Sequence, residues 1–268
     1  MKHGSSFFFL LVLLAPMAGQ KHAWCAPQST AEPGMAELVR GSHIIFVGRA
    51  VKPEAVNLKV LKPGPNTVVV LVQELLDAPP SLAGLKGQEV TVETLRPGSL
   101  RTGETAVFFT NGAIFGEHLE VKEVGQLPAP SDTASMRKQI AAVRGQAENE
   151  KIQARSQSAV LIVSGKVVEV KPLGGKLRSE HDPDWAQAVL EVTSVQKGTL
   201  PGKTLNFYFP RSTDERWYLS PKFHVGESGV WLLHREPNFG LPEGSLIAVS
   251  PLDFYPPERE PAIRALIR

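Results

Sequence analysis

The sequence predicts an all-β protein with peripheral helices, laid out as two tandem five-stranded barrels. Three observations lead there. Glycine-punctuated apolar segments recur in the same order in two halves of the chain. Those segments have strand lengths and are rich in β-branched residues, which favour extended backbone. Helical periodicity is confined to stretches before, between and after them.

The chain opens with Lys2 and His3, then a continuous apolar run from Phe7 to Leu14, then a polar stretch ending at Ala23-Trp24-Cys25. This is the layout of a secretory signal peptide over 1–25, with cleavage near Cys25. The run is shorter than the roughly 20 residues that span a bilayer, and no later segment of the mature chain is apolar enough to do so. The implied location is secreted or periplasmic.

The first half, 30–130, begins with a short helix candidate, PGMAELVR at 33–40. Its strands read SHIIFVGRAVKPE (42–54), TVVVLVQELL (67–76), QEVTVETL (88–95), TGETAVFFTN (102–111) and HLEVKEV (118–124). The second half, 158–256, repeats the order: SAVLIVSGKVVEVKP (158–172), AQAVLEVTSVQKG (186–198), KTLNFYF (203–209), VGESGVWLLH (225–234) and SLIAVS (245–250). Gly48-Arg49-Ala50-Val51 aligns with Gly165-Lys166-Val167-Val168, and Gly103-Glu104 with Gly226-Glu227. Both halves then carry a Phe-Gly pair, Phe115-Gly116 and Phe239-Gly240. Self-similarity of this kind decides architecture before any single element does.

Between the halves, 131–157 reads as a connecting helix. Ser131-Asp132 suits its N-cap, and Met136, Ile140 and Val143 share one face. Gly145 is a candidate interruption, and Ile152 is the lone apolar anchor of the polar stretch beyond it. The end, 257–268, reads as a helix with Pro261 in its first turn and Ile263, Leu266 and Ile267 on its apolar face.

These motifs resemble the TIMP/netrin-like version of the OB fold. The carriers are Gly165-Lys166-Val167-Val168, Lys197-Gly198, Pro201-Gly202-Lys203, and Gly226-Glu227 through Trp231-Leu232-Leu233. The first half keeps Gly48-Arg49-Ala50-Val51 and Gly103-Glu104, but its turn is LAGLKGQE. The resemblance covers most of 42–124 and 158–250, and it implies OB-like barrels with exposed loops that hold partners. It does not bring protease inhibition. The inhibitors of that family chelate zinc through a disulfide-fixed N-terminal cysteine, and Cys25, the only cysteine, leaves with the leader if cleavage falls after it rather than nearer Ala18. A chain without thiols forms no disulfide and no thiolate metal site.

Charge excludes one class of partner. The whole chain has 29 basic and 27 acidic residues, and Lys2 and Lys21 are the only charges in 1–25. A mature chain of zero net charge lacks the cationic excess of a strong non-specific nucleic-acid binder. The partner classes left are a protein or a polysaccharide.

No P-loop, G-x-G-x-x-G, G-x-S-x-G or H-E-x-x-H is present, so neither a cofactor nor catalysis is expected. Four local features still invite chemistry. His181, Asp182 and Asp184 could ligate a metal, although Asp-Pro-Asp is equally turn chemistry. Ser179-Glu180-His181 and Ser228 are hydroxyl sites without a readable base. His224 and His234 flank the fourth strand of the second half and read as surface or strand-end residues. The loop 211–223 holds Arg211, Asp214, Glu215, Arg216, Trp217 and Tyr218 where the first half has only RPGSL. Arg211, Asp214, Arg216, Trp217 and Tyr218 form a candidate partner-binding loop, a mix of arginine and aromatics found at interfaces. The alternative is that Trp217 and Tyr218 cap the open end of the core. The function these features imply is an exported, non-catalytic binding or structural protein. The alternative is a hydrolase or metal-dependent enzyme with its site in the 174–185 and 211–223 loops.

Overall fold

A computed structural model describes residues 33–267 except 116–117, 175–178, 180 and 236–238. The expected leader and Gly116 lie outside the described residues. Two β-sheets dominate, each covered by helix.

The first half starts with a short helix, α1 (Met35–Gly41). Five strands follow: β1 (Ile44–Pro53), β2 (Thr67–Asp77), β3 (Glu89–Glu93), β4 (Thr105–Phe115) and β5 (His118–Pro128). They close into a barrel of order β1-β2-β3-β5-β4, in which β3 and β5 run parallel and the other neighbours antiparallel. Alternation along each strand separates two cores. Phe46, Val70, Val92 and Phe108 fill the inside, with the Phe46 and Phe108 rings stacked at 5.2 Å. Ile45, Val47, Val107 and Phe109 face outward and pack beneath Leu38, Val39 and Ile140 of the helices.

The long helix α2 (Thr133–Ser158) is capped by Asp132, whose side chain accepts the Ala134 N–H at 2.9 Å. It runs unbroken through Gly145. A lone helical glycine costs about 1 kcal/mol relative to alanine, too little to break a helix pinned at both ends. Its first half lays Met136, Ile140 and Val143 on the outer face of the barrel. Arg137 and Arg144 add ion pairs to Glu74 and Asp77 of β2. Its last turns bury Ile152 against the second sheet.

The second half contains β6 (Leu161–Pro172), β7 (Trp185–Lys197), β8 (Thr204–Pro210), β9 (Ser228–Leu233) and β10 (Phe254–Tyr255), ending in helix α3 (Glu260–Leu266). Its strand order is β10-β9-β6-β7-β8, an open sheet. Two expectations are corrected here. The segment 245–250 is not a full strand; it touches its neighbours through isolated bridges only, Tyr208 to Ile247 in parallel and His234 to Ile247 antiparallel. Two-residue β10 appears instead on the far edge of β9. The cause is local. The N–H groups of Val249 and Ser250 donate to Asp253 Oδ2, both at 2.8 Å, so those donors are withdrawn from any ladder. Ser250 and Asp253 form a reciprocal capping box around the 3₁₀ turn Pro251–Asp253, which ends the extended run.

The same hydrogen-bond set recurs in both halves. Gly103 N donates to Ala50 O and Ala50 N to Glu104 O; Gly226 N donates to Val167 O and Val167 N to Glu227 O, all at 2.8 Å. Gly103 and Gly226 have φ of +86° and +95°, which glycine adopts without steric cost. β1 and β6 each carry three register shifts, after Ile45, Val47 and Ala50 in one and after Ile162, Ser164 and Val167 in the other. Such bulges coil a strand so that it can serve neighbours on both edges.

Candidate functional site

The two loops singled out in the sequence meet at one end of the second sheet. They are stitched by backbone and side-chain bonds. Arg211 N donates to Asp184 O at 2.7 Å, Asp184 N to Ser212 Oγ at 2.7 Å, and Ser212 Oγ to Asp182 O at 3.0 Å. Trp217 Nε1 donates to His181 O at 2.9 Å. Edge-to-face contacts among Trp185, Trp217 and Phe239, with centroids 5.4 to 6.1 Å apart, seal the junction.

The five candidate loop residues separate into two groups. Trp217 is 6% exposed and takes the capping role. Asp214 is also structural. Its carbonyl accepts the N–H of Trp217 and Tyr218, and its Oδ1 accepts the Arg216 N–H at 2.7 Å. Arg211 is exposed and lies 3.4 Å from Asp184 Oδ2. Arg216 projects into solvent, and Tyr218 is 61% exposed. The acids proposed as ligands serve the loops: Asp182 Oδ2 accepts the Ser179 N–H, and Asp184 pairs with Arg211. Among the described residues no group of three or more His, Cys, Asp and Glu side chains could hold a metal ion. Glu180 lies outside the described residues.

Beside this junction is a cavity of about 380 Å³. Val170 and Pro172 from the end of β6, Phe209 from β8, and Phe223 give it apolar walls. Arg211, Lys222 and His224 supply polar ones. Phe223 is fixed edge-on to Phe207 and Phe209 at 5.2 and 5.1 Å. Lys222 Nζ donates to Trp217 O at 2.8 Å. Partial burial pushes the Lys222 ammonium below its usual pKa, and the negative charge of Asp214 opposes that shift. Sequence reading passed over Lys222 and Trp185, and read Phe239 only as half of a Phe-Gly pair. A lone lysine after a proline has no pattern, and the partners of the two aromatics are distant in the chain.

Of the nine large apolar side chains exposed among the described residues, Val168, Leu173, Tyr218, Leu219 and Val225 lie within four residues of a wall residue in the chain. Leu173 and Val225 adjoin the wall residues Pro172 and His224 in the chain. Val168 sits beside Val225 through the Gly226 N–H to Val167 O bond, and Tyr218 follows the carbonyl that holds Lys222.

His234 corrects an expectation. It stands at the end of β9, as one of its two readings had it, but it is 4% exposed and not a surface residue, because it bridges to Ile247 and lies over Asp253. Asp253 is fully buried and accepts two bonds from Arg155, Nε to Oδ1 at 2.6 Å and Nη2 to Oδ2 at 2.8 Å. Burial works to raise the Asp253 pKa, but His234, Arg155 and the Ser250 N–H outweigh it and hold it below the ordinary value. Arg155 is the stronger of the two side-chain partners. Its bonds are short and aligned, whereas His234 Nε2 sits 3.3 Å away without hydrogen-bond alignment. The Ser-x-x-Asp spacing of 250–253 is a capping-box signal in the sequence; the arrival of Arg155 from α2 has none.

The fold and site define a mostly β protein with one closed five-stranded barrel and an open second sheet bearing a walled cavity. No family model and no curated protein matches the chain. A solved structure described as "Structure of murine DNA binding protein bound with ds DNA" is 11% identical over 77% of this chain and 92% of that one. Its TM-score is 0.19, too low to carry an argument about fold or partner.

Proposed function

We propose that this is an exported, non-catalytic protein that binds a protein partner through the end of its second sheet, and that its halves are two copies of a TIMP/netrin-like, OB-like unit, the second with its sheet left open. The carrying observation is an open cavity walled by Val170, Pro172, Phe209 and Phe223, with exposed Leu173, Tyr218, Leu219 and Val225 close by in the chain. Contiguous exposed apolar surface on a soluble domain marks an interaction site, and aliphatic rather than purely polar lining favours protein over polysaccharide. The leader-like layout of 1–25 supports export. The repeat reading is supported by the matched bulges and matched Gly-Glu turns of β1 and β6. It is supported further by the bridging of Ile247, which pairs parallel to β8 and antiparallel beyond β9 as β5 pairs with β3 and β4. Absence of catalysis is supported by the structural employment of Asp182, Asp184 and Asp214.

Deleting 211–223 would open the core, because Trp217, Ser220 and Phe223 are buried. The test is therefore a double substitution, Tyr218→Ser with Leu219→Ser, both more than half exposed. The intact chain should capture a discrete protein from its native envelope or medium, and the variant should lose it with an unchanged Tm. Identical capture by both chains would reject this face as the binding surface.

A further inference from the structure

We infer that the cavity at the end of the second sheet recognises a carboxylate set beside an apolar side chain, so that the partner presents an acidic, apolar peptide segment. The inference rests on the reading of this face just proposed and names what the face selects. The cavity walls carry two basic side chains and no acid, Arg211 and Lys222, together with the rings of Phe209 and Phe223. Lys222 has three N–H donors, and one is committed to Trp217 O, which aims the ammonium and leaves two free for a ligand. Its partial desolvation makes an incoming anion worth more there than at an open surface. Arg211 is held by its backbone N–H to Asp184 O, while its guanidinium keeps only a 3.4 Å contact with the half-exposed Asp184 carboxylate. A partner carboxylate can replace that contact with a planar, two-point bond. Asp214 and Asp184 balance these cations from behind, one through its charge on Lys222 and the other at 3.4 Å from Arg211, but neither acid lines the cavity, so its walls themselves present only basic groups to a ligand. A volume of about 380 Å³ with phenyl walls takes one aliphatic or aromatic side chain next to the charge.

The probes are two capped tetrapeptides, acetyl-Leu-Phe-Glu-Leu-amide and its Gln isostere, titrated into the full mature chain by amide NMR. The expected result is shifts at Phe209, Arg211 and Lys222 through His224, with the Glu peptide bound about tenfold more tightly. That preference should shrink with added salt. Lys222→Met should bring the two affinities together, and so should Arg211→Met, which keeps the backbone bond to Asp184 and guards against a folding defect in the first variant. Equal affinity of the two peptides for the unaltered chain, shifts on another surface, or no binding of either would overturn the inference. If the peptides fail while the Tyr218/Leu219 variant still loses its partner, the face stands and the carboxylate falls. If both tests fail, the face falls with it.

Discussion

With no solvent exposure and four donors around it, the Asp253 carboxylate joins three parts of the second half: α2 through Arg155, the 249–250 backbone, and its own 3₁₀ turn. Removing its charge leaves the part-buried Arg155 guanidinium without its counter-charge. Asp253→Asn should therefore cost about 3–5 kcal/mol in urea unfolding, the range for breaking one side of a buried pair. Its pKa is depressed in the folded state, so its stabilisation is complete above the ordinary carboxylate value. It is lost as pH falls through the lower folded one. A wild-type Tm that falls steeply below about pH 4, with a flatter fall in Asp253→Asn, is the expected outcome. Glu123 behaves in the opposite sense. Burial raises its pKa, and the Leu95 N–H and the charge of Arg96 only partly offset that. Its contribution is most favourable at low pH and is lost as pH rises through the raised value. Glu123→Gln, which keeps an acceptor for Leu95, should raise Tm near pH 7 and lose that advantage near about pH 4.

At the scale of elements, strand bulges govern both sheets, and glycine makes two of them feasible. A Cβ at Gly165 would collide with the Glu191 carbonyl oxygen, which is backbone and cannot rotate away. At Gly48 it would meet the side chains of Val70 and Phe46, which can shift. Gly165→Ala should destabilise by about 2–3 kcal/mol and Gly48→Ala by less, measured by chemical denaturation. Gly145 of α2 has no heavy atom within 4 Å of an added Cβ. Gly145→Ala should stabilise by roughly 0.5–1 kcal/mol. The strand positions were readable because alternation and β-branching are local properties, as in TVVVLV of β2. The failure at 245–250 is equally instructive. SLIAVS has the composition of a strand, but a carboxylate three residues further on takes two of its N–H groups. No periodicity reports competition for a hydrogen bond.

At the scale of the molecule, α2 belongs to both cores, burying Ile140 against the first sheet and Ile152 against the second. Neither sheet keeps its outer cover if the helix frays. Thermal unfolding followed by far-UV circular dichroism and by tryptophan fluorescence should therefore give one coincident transition. All four tryptophans but Trp24 sit in the second half, so separate melting of the halves would show as two midpoints. By itself the sequence determined the β-rich class, the order of strand segments, the apolar faces of α2 and the prominence of the 211–223 loop. Each of these depends on residues within a few positions of one another. Tertiary structure alone decided that the first sheet closes while the second stays open, that His234 is buried, and that Lys222 and Arg211 share a cavity. The second sheet loses a full strand at 245–250 to a nearby carboxylate that takes two N–H groups, which no residue pattern reports, and the burial of His234 and the walls of the cavity depend on elements far apart in the chain.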